Sequence, residues 1–268
     1  MTILVTGARG NLARRVIDQL LSAGETVRAA SRDPENTKLP AGVTPVLVDF
    51  SKPETLPEAL AGVDRVFMYA ATEGIENFVA AAEAAGVSKV VLLSSAATAM
   101  PDPMDNYIGR EHLLAEQALE KAGFTWVFVR PAMFATNALW WAESIKTEGT
   151  VRVPYPDSNV NPIHDWDIAD VVLMGLTGSK LDGSKILIDG SEHLTQRRQV
   201  ELIGEAIGRE LKVEELPHDI AAKFMPSAVL DMLAEGSSEV FGPTSEAVTG
   251  EPARDFAQWT RDHADDFR

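Results

Sequence analysis

A short apolar run, Thr2-Ile3-Leu4-Val5, passes at once into Thr6-Gly7-Ala8-Arg9-Gly10-Asn11-Leu12-Ala13, and the segment from Leu12 to Ser22 then carries apolar residues at helical spacing. No other stretch restricts the fold as strongly. The β-branched run reads as a buried strand, so both glycines fall in a strand-to-helix turn. Gly7 permits the tight turn, and Gly10 removes a Cβ from the place where the backbone would approach a bound pyrophosphate. The helix N-terminus beyond offers unpaired N–H groups and a partial positive charge to such an anion. The stretch is therefore read as a nucleotide loop, with Gly7, Gly10, Asn11 and Leu12 around the phosphates; a plain strand-to-helix turn is the alternative.

Strand-like and helix-like segments then alternate at short spacing. Strands are expected at 26–30, 43–48, 65–69, 89–93 and 125–129, with helices between them at 55–60, 77–85 and 106–119. This alternation predicts an α/β fold, a doubly wound parallel sheet of the Rossmann type. Ligands of such sheets sit beyond the carboxyl ends of the strands, where Gly7, Arg32, Asp49, Ala70 and Ser94 all fall. Ser31 and Arg32 follow the second strand, the place that faces an adenine ribose, and an arginine there suits a 2′-phosphate. Arg9 adds a second cation to that phosphate or else points into solvent. Asp49 and Phe50 close the third strand, as a carboxylate for the adenine amine and an apolar face for its ring; the alternative for Asp49 is a turn or helix cap before Pro53. Ala70 and Ala71 supply the small side chains wanted beneath the pyrophosphate and ribose.

Composition removes several classes of function. The formal charge is -16, with 40 acidic against 24 basic side chains, which argues against a direct nucleic-acid or anionic-membrane partner. The chain has 0 cysteines, so disulfides, zinc-thiolate sites and cysteine nucleophiles are all excluded, and no metal site is expected. It opens on a strand without a basic and then apolar leader, and no apolar run approaches the roughly 18 residues of a membrane span. The cytoplasm is the expected location.

Taken together, these residues resemble the atypical short-chain dehydrogenase/reductase superfamily in its NmrA-like branch, which includes NAD(P)H-dependent quinone oxidoreductases and redox-sensing regulators. The resemblance rests on the glycine loop, Ser31-Arg32-Asp33-Pro34, Ser94-Ser95, the His112-x-x-x-Glu116 helix, Arg130-Pro131 with Phe134 and Asn137, and Ile163-His164-Asp165-Trp166-Asp167-Ile168-Ala169-Asp170. It implies a dinucleotide-binding domain over 1–137 and a small α+β substrate subdomain over 138–268, with some segments returning to the first sheet. It also implies NADP(H) in preference to NAD(H) as coenzyme, with Ser94, Ser95, His112 and Pro131 joining the coenzyme contacts.

One departure from the family bears on chemistry. Better-known members pair a tyrosine proton donor with a lysine one helical turn later, but Tyr107 is followed four positions on by Glu111. A neighbouring carboxylate raises a phenol pKa, so Tyr107 is a poor acid by that mechanism. His112, similar in position to the family lysine, is the better proton donor; its alternative is a hydrogen bond to the nicotinamide ribose. Glu116 would orient His112 or, more simply, form a structural ion pair.

In the C-terminal half, Phe134, Asn137, Trp140, Trp141 and Phe224 are the substrate candidates. Trp140 and Trp141 face apart on a helix, so at most one stacks on a planar substrate. His164 is expected to brace loops and Asp167 to cap a helix running to Met174. Helices are expected at 197–210 and 221–233, and a closing surface helix at about 252–267. The reading that follows is an NADPH-dependent oxidoreductase transferring hydride to a quinone or related conjugated carbonyl compound, with a small aromatic or quinone-like substrate and a homodimer as partners. Two alternatives stand beside it: a non-catalytic redox sensor, and an isomerase or cyclase that keeps the dinucleotide as a structural element.

Overall fold

The structure, a computed structural model, describes residues 1–236 and 242–268. The chain divides into two compact units: Met1–Pro131 with Ile168–Ile188, and Ala132–Asp167 with Asp189–Arg268. The first stretch of the first unit ends with its sixth strand at Pro131, where the sequence reading divides the chain at 137.

In the first unit, β1 (Thr2–Val5), β2 (Thr26–Ser31), β3 (Thr44–Leu47), β4 (Arg65–Tyr69), β5 (Lys89–Leu93) and β6 (Thr125–Pro131) join the strand Lys185–Ile188 in one sheet. The order is β3-β2-β1-β4-β5-β6 followed by Lys185–Ile188, and every pairing is parallel. From β1 the chain winds outward through β2 and β3, then restarts at β4 on the other side of β1. That reversal makes the β1/β4 boundary the topological switch point, where such sheets open a crevice. Central strands are apolar on both faces, as a covered parallel sheet requires: Ile3, Leu4, Val5, Val66, Phe67 and Val90–Leu92 are all buried.

The helix α1 (Asn11–Ser22) buries Leu12, Ala13, Val16, Ile17 and Leu20 at helical spacing, which fixes the face it lays on the sheet. It is followed by α2 (Leu56–Leu60), α3 (Ile75–Ala85) and α4 (Tyr107–Glu120). The Asn106 side chain caps α4 by accepting from the Ile108 amide at 2.9 Å.

Three charged side chains are buried in this unit, each with a partner. Lys89, at the start of β5, donates to the Gly178 carbonyl at 2.6 Å and pairs with Asp182. Glu116 on α4 is fully buried and takes Arg130 of β6 through both oxygens, Nε at 2.9 Å and Nη2 at 2.5 Å. The Ser94 hydroxyl, just past β5, donates to the same carboxylate at 2.5 Å. Glu116 is therefore a structural pair that ties helix to sheet and leaves nothing over to orient His112.

The second unit is a small α+β body. Thr150–Val153 pairs in parallel with Lys212–Glu215, and Asn159–Val160 pairs antiparallel with Leu194–Thr195. Its core gathers Ala135, Ala138, Ile145, Val151, Val200 and Ile203 with Phe256, Trp259 and Phe267. The last three correct the expectation of a closing surface helix: Phe256–Asp262 and the turn Ala264–Phe267 bury their aromatic side chains in that core. Sequence expectations differ at two more places. The apolar stripe at 221–233 is split at Pro226 into His218–Ala221 and Ser227–Glu235, because proline lacks the amide an uninterrupted helix needs. Asp167 lies inside the helix Asp165–Thr177, where it pairs with Arg254; the ring of His164 instead closes the helix start by accepting from the Trp166 amide at 3.1 Å.

His164 braces its surroundings, as expected, and does so in a buried cluster. Its Nε2 lies 3.2 Å from Asp262, and its ring centre 6.5 Å from that of His263. The Trp259 indole donates to Asp165 at 3.1 Å and stacks on His263 with centroids 4.5 Å apart. Burial works to raise the Asp165 carboxyl, but His164 and His263 outweigh it and hold it well below the usual carboxylate range. Burial likewise works to lower His263, and contact with Asp165 and Asp266 overcomes it, so its imidazole is raised above the ordinary value of 6.5. Among the described residues no helix is long and apolar enough to cross a membrane.

Two outcomes follow. The Glu116→Gln variant strands the buried guanidinium of Arg130 and should lose about 3–5 kcal/mol in a denaturant titration. The double variant Glu116→Met/Arg130→Met, which removes both charges, should recover most of that loss. For His263 the raised pKa means a stabilising contribution complete below pH 6.5 and lost as pH climbs through the folded value. Melting temperature should therefore fall on the alkaline side of that point, and the His263→Asn variant should show a flatter profile there; parallel profiles would disprove the linkage.

Candidate functional site

The carboxyl ends of β1, β2, β3 and β4 enclose a cavity of about 480 Å³ in the first unit. Its wall comprises Thr6 to Arg9 after β1, Ala30 to Arg32 at the end of β2, Val48 to Ser51 after β3, and Tyr69 to Ala71 with Glu73 after β4. The structure thus brings together Gly7, Arg9, Ser31, Arg32, Asp49, Phe50, Ala70 and Ala71, eight of the residues singled out from the sequence. All come from strand ends and loops that the parallel sheet delivers to one edge.

The loop geometry follows from its residues. Gly7 is left-handed at φ 64°, a conformation that costs a side-chain-bearing residue but not glycine. The Ala8 amide donates to the Ala30 carbonyl at 3.2 Å, tying the loop to the end of β2. Gly10 stands as the N-cap of α1, where no side chain caps the helix and the first turn holds no acidic residue. Those first-turn amides are left for an anion, as a pyrophosphate would require. Asn11 and Leu12 belong to that turn; the Leu12 side chain is buried, so only its backbone is offered.

At the β2 end, the Ser31 hydroxyl accepts from the Asp33 amide at 3.0 Å, which shapes the turn carrying Arg32. Arg9 and Arg32 are exposed at the cavity wall and make no ion pair among the described residues. Asp49 takes up the turn role weighed for it: its Oδ1 accepts from the Ser51 hydroxyl at 2.7 Å and the Ser51 amide at 3.1 Å. The Ser51 hydroxyl is also the main reason its carboxyl sits below the ordinary range, against burial and with help from the charges of Lys52 and Arg32. It lines the cavity nonetheless. Phe50 packs against Phe78 with centroids 5.0 Å apart. Its backbone is held by Asn77, which donates to the Phe50 carbonyl at 3.0 Å, and by Gly74, where a Cβ would come within 2.1 Å of that oxygen.

Other candidates lie outside this wall. Ser94 is spent on Glu116, and the Ser95 hydroxyl accepts from the Ala97 amide at 3.2 Å to start the turn Ala96–Ala99. Pro131 is buried at the end of β6. His112 is half-buried, with Nδ1 2.8 Å from the Ile108 carbonyl of its own helix, so Nε2 is its outward nitrogen. Tyr107 stands 65% exposed on the first turn of α4, and Glu111, four residues on, accepts from the Thr72 hydroxyl at 3.1 Å. In the second unit, Trp140 is 79% exposed and Phe224 66% exposed, while Trp141 packs against the core, so the two tryptophans do face apart. Phe134 bridges to Ile163, and Asn137 begins the following turn by donating its amide to the Phe134 carbonyl at 3.1 Å.

Sequence reasoning missed Tyr69 altogether, because the aromatic was absorbed into the apolar run of β4. Its position at the strand's last residue, directly before Ala70, was the available signal. Among the described residues no group of three or more His, Asp or Glu is placed to hold a metal ion.

Comparison with known proteins agrees with this geometry. Residues 7–177 match the model of a family described as NAD(P)H-binding. Over 99% of both chains the sequence is 38% identical to the (4-alkanoyl-5-oxo-2,5-dihydrofuran-3-yl)methyl phosphate reductase of Streptomyces griseus. It is 28% identical to an NAD(P)H azoreductase of Xenophilus azovorans, again over 99% of each. In fold it is similar to an NADPH-dependent quinone oxidoreductase of Escherichia coli, with TM-score 0.78 and 22% identity over 96% of this chain and 98% of that one. It is also similar to a Citrobacter triphenylmethane reductase complexed with NADP(H), with TM-score 0.79 and 20% identity over 98% and 100%. With 171 of 268 residues inside the family model and a full-length relative above 30% identity, itself named a reductase, the chain belongs to the NAD(P)H-binding family.

Proposed function

We propose that the protein is an NADPH-dependent reductase of conjugated carbonyl compounds, delivering hydride to a quinone ring or to a carbon–carbon double bond activated by a neighbouring carbonyl. The observation that carries this reading is on α4. Tyr107 stands in solvent, and the residue one turn later is Glu111, a carboxylate engaged with Thr72 where a lysine would lower the phenol pKa. A saturated ketone needs an acid at its oxygen as hydride arrives. A conjugated acceptor spreads the arriving charge over its own carbonyl and loses less when that acid is missing.

NADPH, when bound, supplies the hydride from its nicotinamide ring. The chain's residues are assigned to holding it: Gly7, Gly10, Asn11 and Leu12 at the pyrophosphate through backbone, Arg32 with Arg9 at the 2′-phosphate, and Asp49 and Phe50 beside the adenine. Ala70 and Ala71 leave room for the ribose and pyrophosphate. With an enone or butenolide the hydride would enter at the carbon β to the carbonyl, the double-bond electrons would move onto the carbonyl oxygen, and a proton would be taken at the α-carbon; with a quinone the two electrons would enter the conjugated ring system and the proton would be taken at a carbonyl oxygen, giving the hydroquinone. His112, with Nδ1 turned to Ile108, keeps Nε2 to carry that proton, and solvent is the other source. The Streptomyces griseus relative supports the acceptor class, since its named substrate is an unsaturated lactone bearing an alkanoyl group.

The acceptor class is tested by following NADPH oxidation against a quinone, a butenolide and a saturated ketone. Either conjugated acceptor should outrun the saturated ketone by at least about tenfold, the equivalent of one 1.4 kcal/mol step in barrier. Equal rates, or no oxidation with any acceptor at high enzyme concentration, would refute the proposal. Coenzyme choice rests on Arg32. Arg32→Ala removes a charge-assisted contact of about 1.5–3 kcal/mol, so NADPH should bind roughly ten- to a hundredfold more weakly while NADH hardly changes. Equal losses for both coenzymes would remove Arg32 from the 2′-phosphate.

A further inference from the structure

Gly10 is not a glycine for conformational reasons. Its backbone, at φ -78° and ψ 149°, is extended and open to any residue. What opposes a side chain there is another residue: a Cβ on Gly10 would lie 3.3 Å from the Tyr69 hydroxyl oxygen. A Cβ on Gly7 would come still closer to the same ring, 2.7 Å from Cε2 and 2.8 Å from Cδ2. The phenol therefore lies along the loop, with its ring edge against Gly7 and its hydroxyl toward Gly10, the residue on which α1 begins. Phe67, fully buried two residues earlier on the same face of β4, holds the ring edge-on with centroids 5.5 Å apart. The half-buried Tyr69 is also part of the cavity wall.

We propose that Tyr69 is a coenzyme-positioning residue whose hydroxyl donates a hydrogen bond to an oxygen of the dinucleotide's pyrophosphate, beside the uncapped first turn of α1. The inference rests on the assignment of the cavity to the dinucleotide. A neutral phenol suits the place, because it donates to an anionic oxygen without adding charge and its ring is immobilised before the ligand arrives. Both loop glycines then have a second purpose: they admit the tyrosine as well as the phosphates.

The test is calorimetric titration of the full chain with NADPH, ADP and adenosine 2′-monophosphate. Tyr69→Phe keeps the ring and removes the donor, so NADPH and ADP should each bind about tenfold more weakly and adenosine 2′-monophosphate should be unaffected. A second variant separates hydroxyl from backbone. Gly10→Ala should weaken ADP binding in the native background and weaken it less on top of Tyr69→Phe, because the part of the loss that comes from pressing on the hydroxyl has gone while any direct crowding of the phosphates remains. Native-like or tighter ADP binding by Tyr69→Phe, or an undiminished Gly10→Ala loss in the Tyr69→Phe background, would overturn the tyrosine assignment alone. Failure of the unaltered protein to bind any of the three nucleotides would instead overturn the reading of the cavity, and this proposal with it.

Discussion

A parallel sheet covered on both faces has no choice about where its strands end. Every carboxyl end of β1 to β6 must emerge on one edge, because each crossover returns the chain to the opposite edge before the next strand begins. The strand order then reverses beside β1, which parts the loops there and leaves a cleft. Residues separated by more than sixty positions, such as Gly7 and Tyr69, meet for this reason. The chemistry of the site is thus a consequence of hydrophobic burial in Ile3, Leu4, Val66 and Val90, which dictates the sheet.

The most deeply buried charges inside that scaffold, Lys89 and Glu116, are each met by an oppositely charged partner. Glu116, Arg130 and Ser94 form a closed set of three hydrogen bonds between helix and sheet. The second unit uses the same device with different residues, gathering Asp165, His164, His263 and Trp259 beneath its terminal helix. The two sets differ in what disturbs them. A guanidinium stays charged at any ordinary pH, whereas an imidazole held between carboxylates does not.

Much of the first unit was legible from sequence because its signals are local. The Gly7 turn, the helical spacing of Leu12 to Leu20 and the Ser31-Arg32 turn each declare themselves within a few residues. What escaped was set by distant partners. Whether Glu116 faces His112 or Arg130 depends on how α4 lies across β6, which no helical spacing contains. Tyr69 looked like one more apolar strand residue until the loop above it was seen to be shaped around its ring. The last helix was misjudged because Phe256, Trp259 and Phe267 are few and widely spaced among charges, yet large enough to build a core on their own. Asp49 shows a different limit: both of its readings were local, and a serine two positions on decided its hydrogen bonds.

Among the described residues, every one that walls the cavity comes from the first unit, and none from 132–167 or 189–268. On the proposed assignment of this cavity to the coenzyme, substitutions confined to 132–167 and 189–268 touch none of the described residues that wall it, so that part of the chain can change without disturbing capture of the reductant.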